Sequence, residues 1–194
     1  VAEVSPIRSA RTSDPDLLAM FGRPMFAWSG GNPTTAAIVR DVPWVHNIDA
    51  TSRGGLYSRS SERRAPHNLV LDAAAAFAQA PEHEPAPLPV FGYLPDGQPA
   101  PGTPVTGFEV AVGGSKAGYA WSQERGGWLR WTNGVVHTDH AETQLAPTNV
   151  LVLETDYVES AADARSPEAV TLGGGRAWAF VGGNVVEGTW LRGD

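Results

Sequence analysis

The chain has no cysteine, which excludes disulfides, thiolate metal sites and cysteine nucleophiles. That absence does not fix the compartment, because many extracytoplasmic bacterial proteins also lack cysteine. Lysine is nearly as scarce. Lys116 is the only one, and every other basic side chain apart from histidine is arginine. A GC-rich genome, which favours Arg and Ala codons, accounts for the bias; the functional alternative is that some of these arginines bind anions. No apolar run approaches the roughly 20 residues of a membrane-spanning helix, and no signal peptide is visible. Positive charge is in deficit, with 14 Lys and Arg against 21 Asp and Glu and a net charge of -7. A general nucleic-acid binder needs a basic surplus to displace counterions, so nucleic acid is not the expected partner. No internal repeat of fixed period occurs.

What is present suits a folded protein. The chain has 194 residues, 42% of them hydrophobic, enough for one large domain or two small ones with a real core. After an irregular start, Ser13 or Asp14 caps a predicted short helix over PDLLAMFG that stops at Gly22. MFAWS (25–29) reads as a buried strand, Asn32-Pro33 as the start of a helix over TTAAIVRD, and VPWVHNI (42–48) as a second strand. That alternation argues for an α/β layer. Residues 51–68 read as a polar, Arg-rich surface loop, and Asn68 as the cap of a helix over LVLDAAAAFAQA. Residues 81–104 are proline-rich and read as a linker. Beyond 105 the texture is short β-type segments punctuated by glycine pairs, with Asn133-Gly134 a type I′ hairpin signal. Trp121, Trp128, Trp131, Trp178 and Trp190 are expected to supply much of that core. The predicted fold class is α+β: an N-terminal α/β layer over 1–80 with an incomplete sheet, packed with an antiparallel β portion over 105–194.

Three stretches resemble the YerB-like family of bacterial lipoproteins, a family of unknown function. VSPIRSARTSD is similar to that family's VGPVRSAR segment, and RRAPHNLV to its APHNLY segment. The run WLRWTNGVVHTD, LAPTNVLVLETDYV and GGGRAWAFVGGNVVEGTW resembles its C-terminal strands and Gly-rich hairpin. Order and spacing match across essentially the whole chain. Family members usually carry about another hundred residues before the RSAR segment and a strand or two after the last Trp. The resemblance therefore implies that this chain is a piece of a longer protein, with a further N-terminal polypeptide completing its sheet. It also implies an extracytoplasmic, membrane-anchored lipoprotein whose lipid anchor lies outside this chain. The family's Tyr after APHNL is Val70 here.

The leading site candidates are Arg8, Ser9, Arg11, Arg59, Arg63, Arg64, His67 and Asn68. Arginine presents a planar fork of donors suited to phosphate or carboxylate. His67 adds a donor whose availability depends on pH, and Asn68 as a helix cap would place both near a helix N-terminus, which favours anions. The alternative is a solvated loop whose arginines pair with the chain's acids. A second candidate is Ser9 or Ser29 as nucleophile with His67 as base. Gly30-Gly31 could supply backbone donors there, but no G-x-S-x-G elbow occurs. HTDHAET carries His137, Asp139, His140 and Glu142, which are metal-ligand types, yet it reads better as a polar hairpin end, and neither metal nor cofactor is expected. The tryptophans could line a sugar site but more often pair across strands. The leading expectation is a non-enzymatic envelope module that binds an anionic ligand, an envelope component or a partner protein. A hydrolase of cell-envelope material with His67 as acid/base is the runner-up, and a purely structural interaction protein the third reading.

Overall fold

The computed structural model describes residues 3–193 except 88, 96, 140 and 165. The fold is α+β and mostly strand, and it divides into two compact units, 1–92 with 157–171 and 93–156 with 172–194.

In the first unit, β1 (Glu3–Val4) leads through an irregular segment to α1 (Asp14–Leu18), followed by a short 3-10 turn that ends at Gly22. Strand β2 (Met25–Phe26), helix α2 (Pro33–Arg40) and strand β3 (His46–Asn47) form a β-α-β unit whose strands pair in parallel. Helix α2 starts where its residues dictate. Asn32 sits in an extended conformation with its side chain accepting from Thr35 N, and Pro33 occupies the first turn, where its missing N–H costs nothing. Of the predicted strand over 42–48 only the end is formed, because Val45 N turns back to Val42 O.

Strands β4 (Tyr57–Arg59) and β5 (Leu69–Asp72) follow, then α3 (Ala73–Phe77). The helix predicted from Asn68 does not form over Leu69–Asp72, which is a strand. Leu69, Val70 and Leu71 are buried; all three pair with β4, and Leu71 also pairs with β1, in the sheet order β1-β5-β4. The helix begins only after Asp72, whose side chain accepts from Ala75 N at 2.9 Å. Burial against two partner strands outweighs the helical preference of the apolar run. One core joins Ile7, Ile48, Leu56, Leu69, Leu71 and Ala76; another joins Ala10, Trp28, Ala36 and Val39.

The second unit is antiparallel β. Its strands β6 (Thr103–Pro104), β7 (Gly107–Val112), β8 (Ser115–Ser122), β9 (Gly127–Thr132), β10 (Val135–Val136) and β11 (Asn149–Leu153) come first. Next come β12 (Tyr157–Val158) and β13 (Glu168–Ala169), which pair with each other and belong to the first unit. The sequence predicts an antiparallel β portion over 105–194; residues 157–171 of that stretch belong to the first unit. Finally β14 (Gly173–Val181) and β15 (Asn184–Arg192) complete two four-stranded sheets, β10-β9-β8-β7 and β11-β14-β15-β6. Asn133 and Gly134 both take positive φ, as the two-residue turn between β9 and β10 requires. Among the tryptophans, Trp128 is fully buried and Trp121 packs beside it, 5.1 Å between centroids. Phe108 stacks on Phe180 and meets the edge of Trp128. Trp131, Trp178 and Trp190 are only half-buried. No described helix is long and apolar enough to cross a membrane.

Candidate functional site

Because β5 lies between β1 and β4, the residues just before it sit beside both neighbours. Ile7 N donates to Leu69 O at 2.9 Å, and Ser60 N donates to Asn68 O at 2.8 Å. Side chains converge in the same place. Arg8 Nη1 lies 2.8 Å from His67 Nδ1, and Arg59 Nη1 donates to Asn68 Oδ1 at 2.7 Å. Asn68 Nδ2 in turn donates to Ser60 O at 3.3 Å. Guanidinium can only donate, so the His67 ring nitrogen is the acceptor. Arg64 holds the turn through its carbonyl, which accepts from His67 N at 2.9 Å. Neither Arg8 nor Arg59 forms an ion pair with a described carboxylate, unlike Arg23 with Glu84, Arg40 with Asp49 and His46 with Glu84 in the same unit. Arg8, Arg59 and His67 are exposed. His67 and Asn68 precede a strand, so neither stands at the helix N-terminus that the sequence predicts.

Ser9 and Arg11 are placed elsewhere. They line a polar cleft of about 550 Å³ at the carboxyl end of β2. Ser29, Gly30, Gly31, Asn32 and Thr35 form its floor, and Ser160, Asp163 and Ser166 another wall. The first segment is held there by Ser29 N donating to Arg8 O at 2.8 Å and Ala10 N donating to Gly30 O at 3.2 Å. The 157–171 segment is tied in by Asn32 Nδ2, which donates to Ala162 O at 3.1 Å. Arg8, Arg59, His67 and Asn68 do not line this cleft. The structure thus divides the candidate set into a sheet-end group and a cleft group.

Sequence reasoning passed over the cluster that stiffens this unit. Asp49 is 1% exposed and accepts from Arg40 Nη2 at 2.7 Å, from Ser52 Oγ at 2.5 Å, from the Thr51 hydroxyl, and from the backbone amides of Thr51 and Ser52. Burial alone would raise its pKa, but the hydrogen bonds from Arg40, Ser52 and Thr51 outweigh it and hold the carboxyl well below the ordinary range. Arg40 also lies over the Trp28 ring at 5.2 Å. Trp28 Nε1 donates to Asn47 Oδ1 at 2.9 Å, and Asn47 Nδ2 donates to Val39 O at 3.0 Å, so β2, α2 and β3 are cross-tied. The Tyr57 hydroxyl donates to Ile48 O, and burial together with the Asp49 charge pushes its pKa up to about 12. The available signal was Asp49-Ala-Thr51-Ser52, whose spacing suits an Asp side chain accepting from amides two and three residues on.

His67 reaches no serine or carboxylate among the described residues; its ring contacts Arg8. In HTDHAET, Asp139 accepts from Ala141 N and Thr143 N, and His137 Nδ1 lies 3.1 Å from Thr132 Oγ1. His140 lies outside the described residues. No group of three metal-ligating side chains occurs among the described residues.

Residues 1–86 match the family described as protein of unknown function (DUF3048), N-terminal domain, and residues 108–194 match its C-terminal domain. The chain belongs to the DUF3048 family. Among solved structures, the crystal structure of the YerB protein from Bacillus subtilis is similar to this DUF3048 chain, with a TM-score of 0.71 and 19% identity. The match covers 98% of this chain and 66% of that one, so the chain spans about two thirds of YerB's length. At that identity the likeness speaks for the fold. No curated protein matches the chain.

Proposed function

We propose that this DUF3048 chain is a non-enzymatic, extracytoplasmic module of the bacterial cell envelope that binds a polyanionic ligand at the open end of the β1-β5-β4 sheet. The observation that carries the reading is the pairing of Arg8 with His67 beside the pairing of Arg59 with Asn68. Two guanidinium groups are held by a ring nitrogen and an amide oxygen rather than by carboxylates, and they keep most of their donors for an incoming anion. The envelope location rests on the family resemblance. A hydrolytic role for His67 has less support, because its ring engages Arg8 rather than a nucleophile.

Titration calorimetry with inorganic tripolyphosphate at low and high salt tests the proposal. Binding should weaken with salt and drop in the Arg8→Ala, Arg59→Ala double variant. Equal heats for both proteins at low salt would refute it.

A further inference from the structure

The second unit carries a row of polar side chains beside its aromatic core. Arg130 stands opposite Tyr119 in the β8–β9 register, and Tyr119 stands opposite Phe108 in the β7–β8 register. Residues directly opposite one another share a face of the sheet. On that face, two residues earlier in β9, Trp128 is fully buried against Phe108 and Phe180. Two residues later, Thr132 Oγ1 lies 3.1 Å from His137 Nδ1, and His137 N donates to Arg130 O at 3.0 Å. Tyr119, Arg130, Thr132 and His137 are each half-buried, so the row borders the core and still meets solvent.

The guanidinium of Arg130 has no acceptor among the described residues. Its Nε is buried without a hydrogen-bond partner, whereas Nη1 and Nη2 are not enclosed. Its charge lies over the Tyr119 ring, 5.8 Å from the centroid. Nearby carboxylates are engaged elsewhere. Glu109 faces Lys116 at 3.9 Å, on the side of the sheet away from Tyr119. Asp139 accepts from Ala141 N and Thr143 N within its own loop. Buried donors nearly always have a partner, and one that lacks it needs an explanation. His137 registers the uncompensated charge. Burial first, and the Arg130 charge second, lower its pKa, so its ring is neutral near neutral pH.

We infer that Arg130 is the anchor of a second binding site, in the second unit and separate from the sheet-end group, for a small organic carboxylate. The enclosed Nε closes the side-on approach to the guanidinium. The two Nη groups remain, and their parallel N–H bonds match the two oxygens of a carboxylate. Charge points the same way. The Thr132 hydroxyl and the neutral His137 ring flank the guanidinium without adding charge, so one positive charge meets one negative charge. A phosphate group, mostly a dianion at pH 7, would be left half uncompensated.

The test is an NMR titration of the whole chain with acetate, acetamide and inorganic phosphate, each replacing chloride or added at constant ionic strength. Acetate should shift the Arg130 Nε–H and His137 ring signals along one saturable curve, and its neutral isostere acetamide should not. Inorganic phosphate, read at the same signals, should bind no more tightly than acetate. Arg130→Met, which keeps the unbranched stem and removes the fork, should weaken acetate at least tenfold, read from the His137 ring. Arg130→Lys, which keeps the charge and loses the fork, should weaken it several-fold. Arg8→Ala with Arg59→Ala should leave the response unchanged, which separates this site from the sheet-end proposal. Arg130 and His137 signals that stay fixed at high millimolar acetate would overturn the inference. So would an equal response to acetamide, tighter binding of phosphate, or loss of the response in the Arg8, Arg59 double variant. Parent-like affinity in Arg130→Met would do the same; should that variant fail to fold, parent-like affinity in Arg130→Lys decides against the fork.

Discussion

Arg8 Nη1 lies 2.8 Å from His67 Nδ1 across 59 positions of sequence, and that contact joins the two segments richest in arginine and asparagine donors. The β1-β5-β4 pairing explains it. Once Ile7 is hydrogen-bonded to Leu69, the side chains of the neighbouring residues must share the sheet's open end.

Each arginine of that end is expected to contribute separately. Arg8→Ala or Arg59→Ala should weaken tripolyphosphate about tenfold each, the worth of one charge-assisted hydrogen bond. Thermal stability should hardly move, because exposed changes usually cost less than about 0.5 kcal/mol. Calorimetry and a melting curve on the same samples check both halves.

Asp49 is expected to be the acid that matters most for the first unit. Its carboxyl titrates below the ordinary value of 3.8 in the folded protein. Its contribution is therefore fully present above that value and lost as pH falls through the lower folded one. Asp49→Ala should cost about 3 kcal/mol near neutral pH, since it strands Arg40 and several donors at once. Urea melts from neutral pH down to below pH 3.8 should show a steeper acid loss in the parent protein than in the variant.

Tyr57 gives a spectroscopic check at the other end of the pH scale. Its pKa is raised to about 12, so the folded protein holds this proton more tightly than the unfolded one. The corresponding stability is complete below the ordinary value of 10.0 and lost as pH rises toward 12. An ultraviolet phenolate titration should show one late-ionising tyrosine, and Tyr57→Phe should remove it.

Trp128 anchors the second unit. It is fully exposure-free among Phe108, Trp121 and Phe180. Trp128→Ala should destabilise by about 3–5 kcal/mol, read from denaturant melts, whereas Trp131→Ala on a half-buried position should cost clearly less.

Local chemistry made much of the fold legible. Asn32-Pro33 and Asn133-Gly134 each carry their own backbone instruction, and both act as read. LVLDAAAAFAQA shows the limit. A strand and a helix share one apolar run, divided only by the Asp72 cap, and the strand lies between β4, just before it in sequence, and β1, which is distant. The candidate site divides in the same way. Arg8 and His67 were legible through their short motifs, but Ser9 and Arg11 belong to a cleft whose Ser160 and Asp163 wall comes from a segment with no periodic pattern. Asp49 stood out less, because its partner Arg40 closes α2 and the β3 strand lies between them.

The proposed polyanion site consists of Arg8, Arg59, His67 and Asn68. Its most direct test is an NMR titration with tripolyphosphate at low salt, following the arginine Nε–H and His67 ring signals. The Arg8, Arg59 and His67 resonances should move together along one saturable curve, and added salt should reverse the shifts. Signals that stay fixed while tripolyphosphate rises to millimolar concentration, or that shift only at the cleft residues Gly30, Gly31 and Arg11, would contradict it.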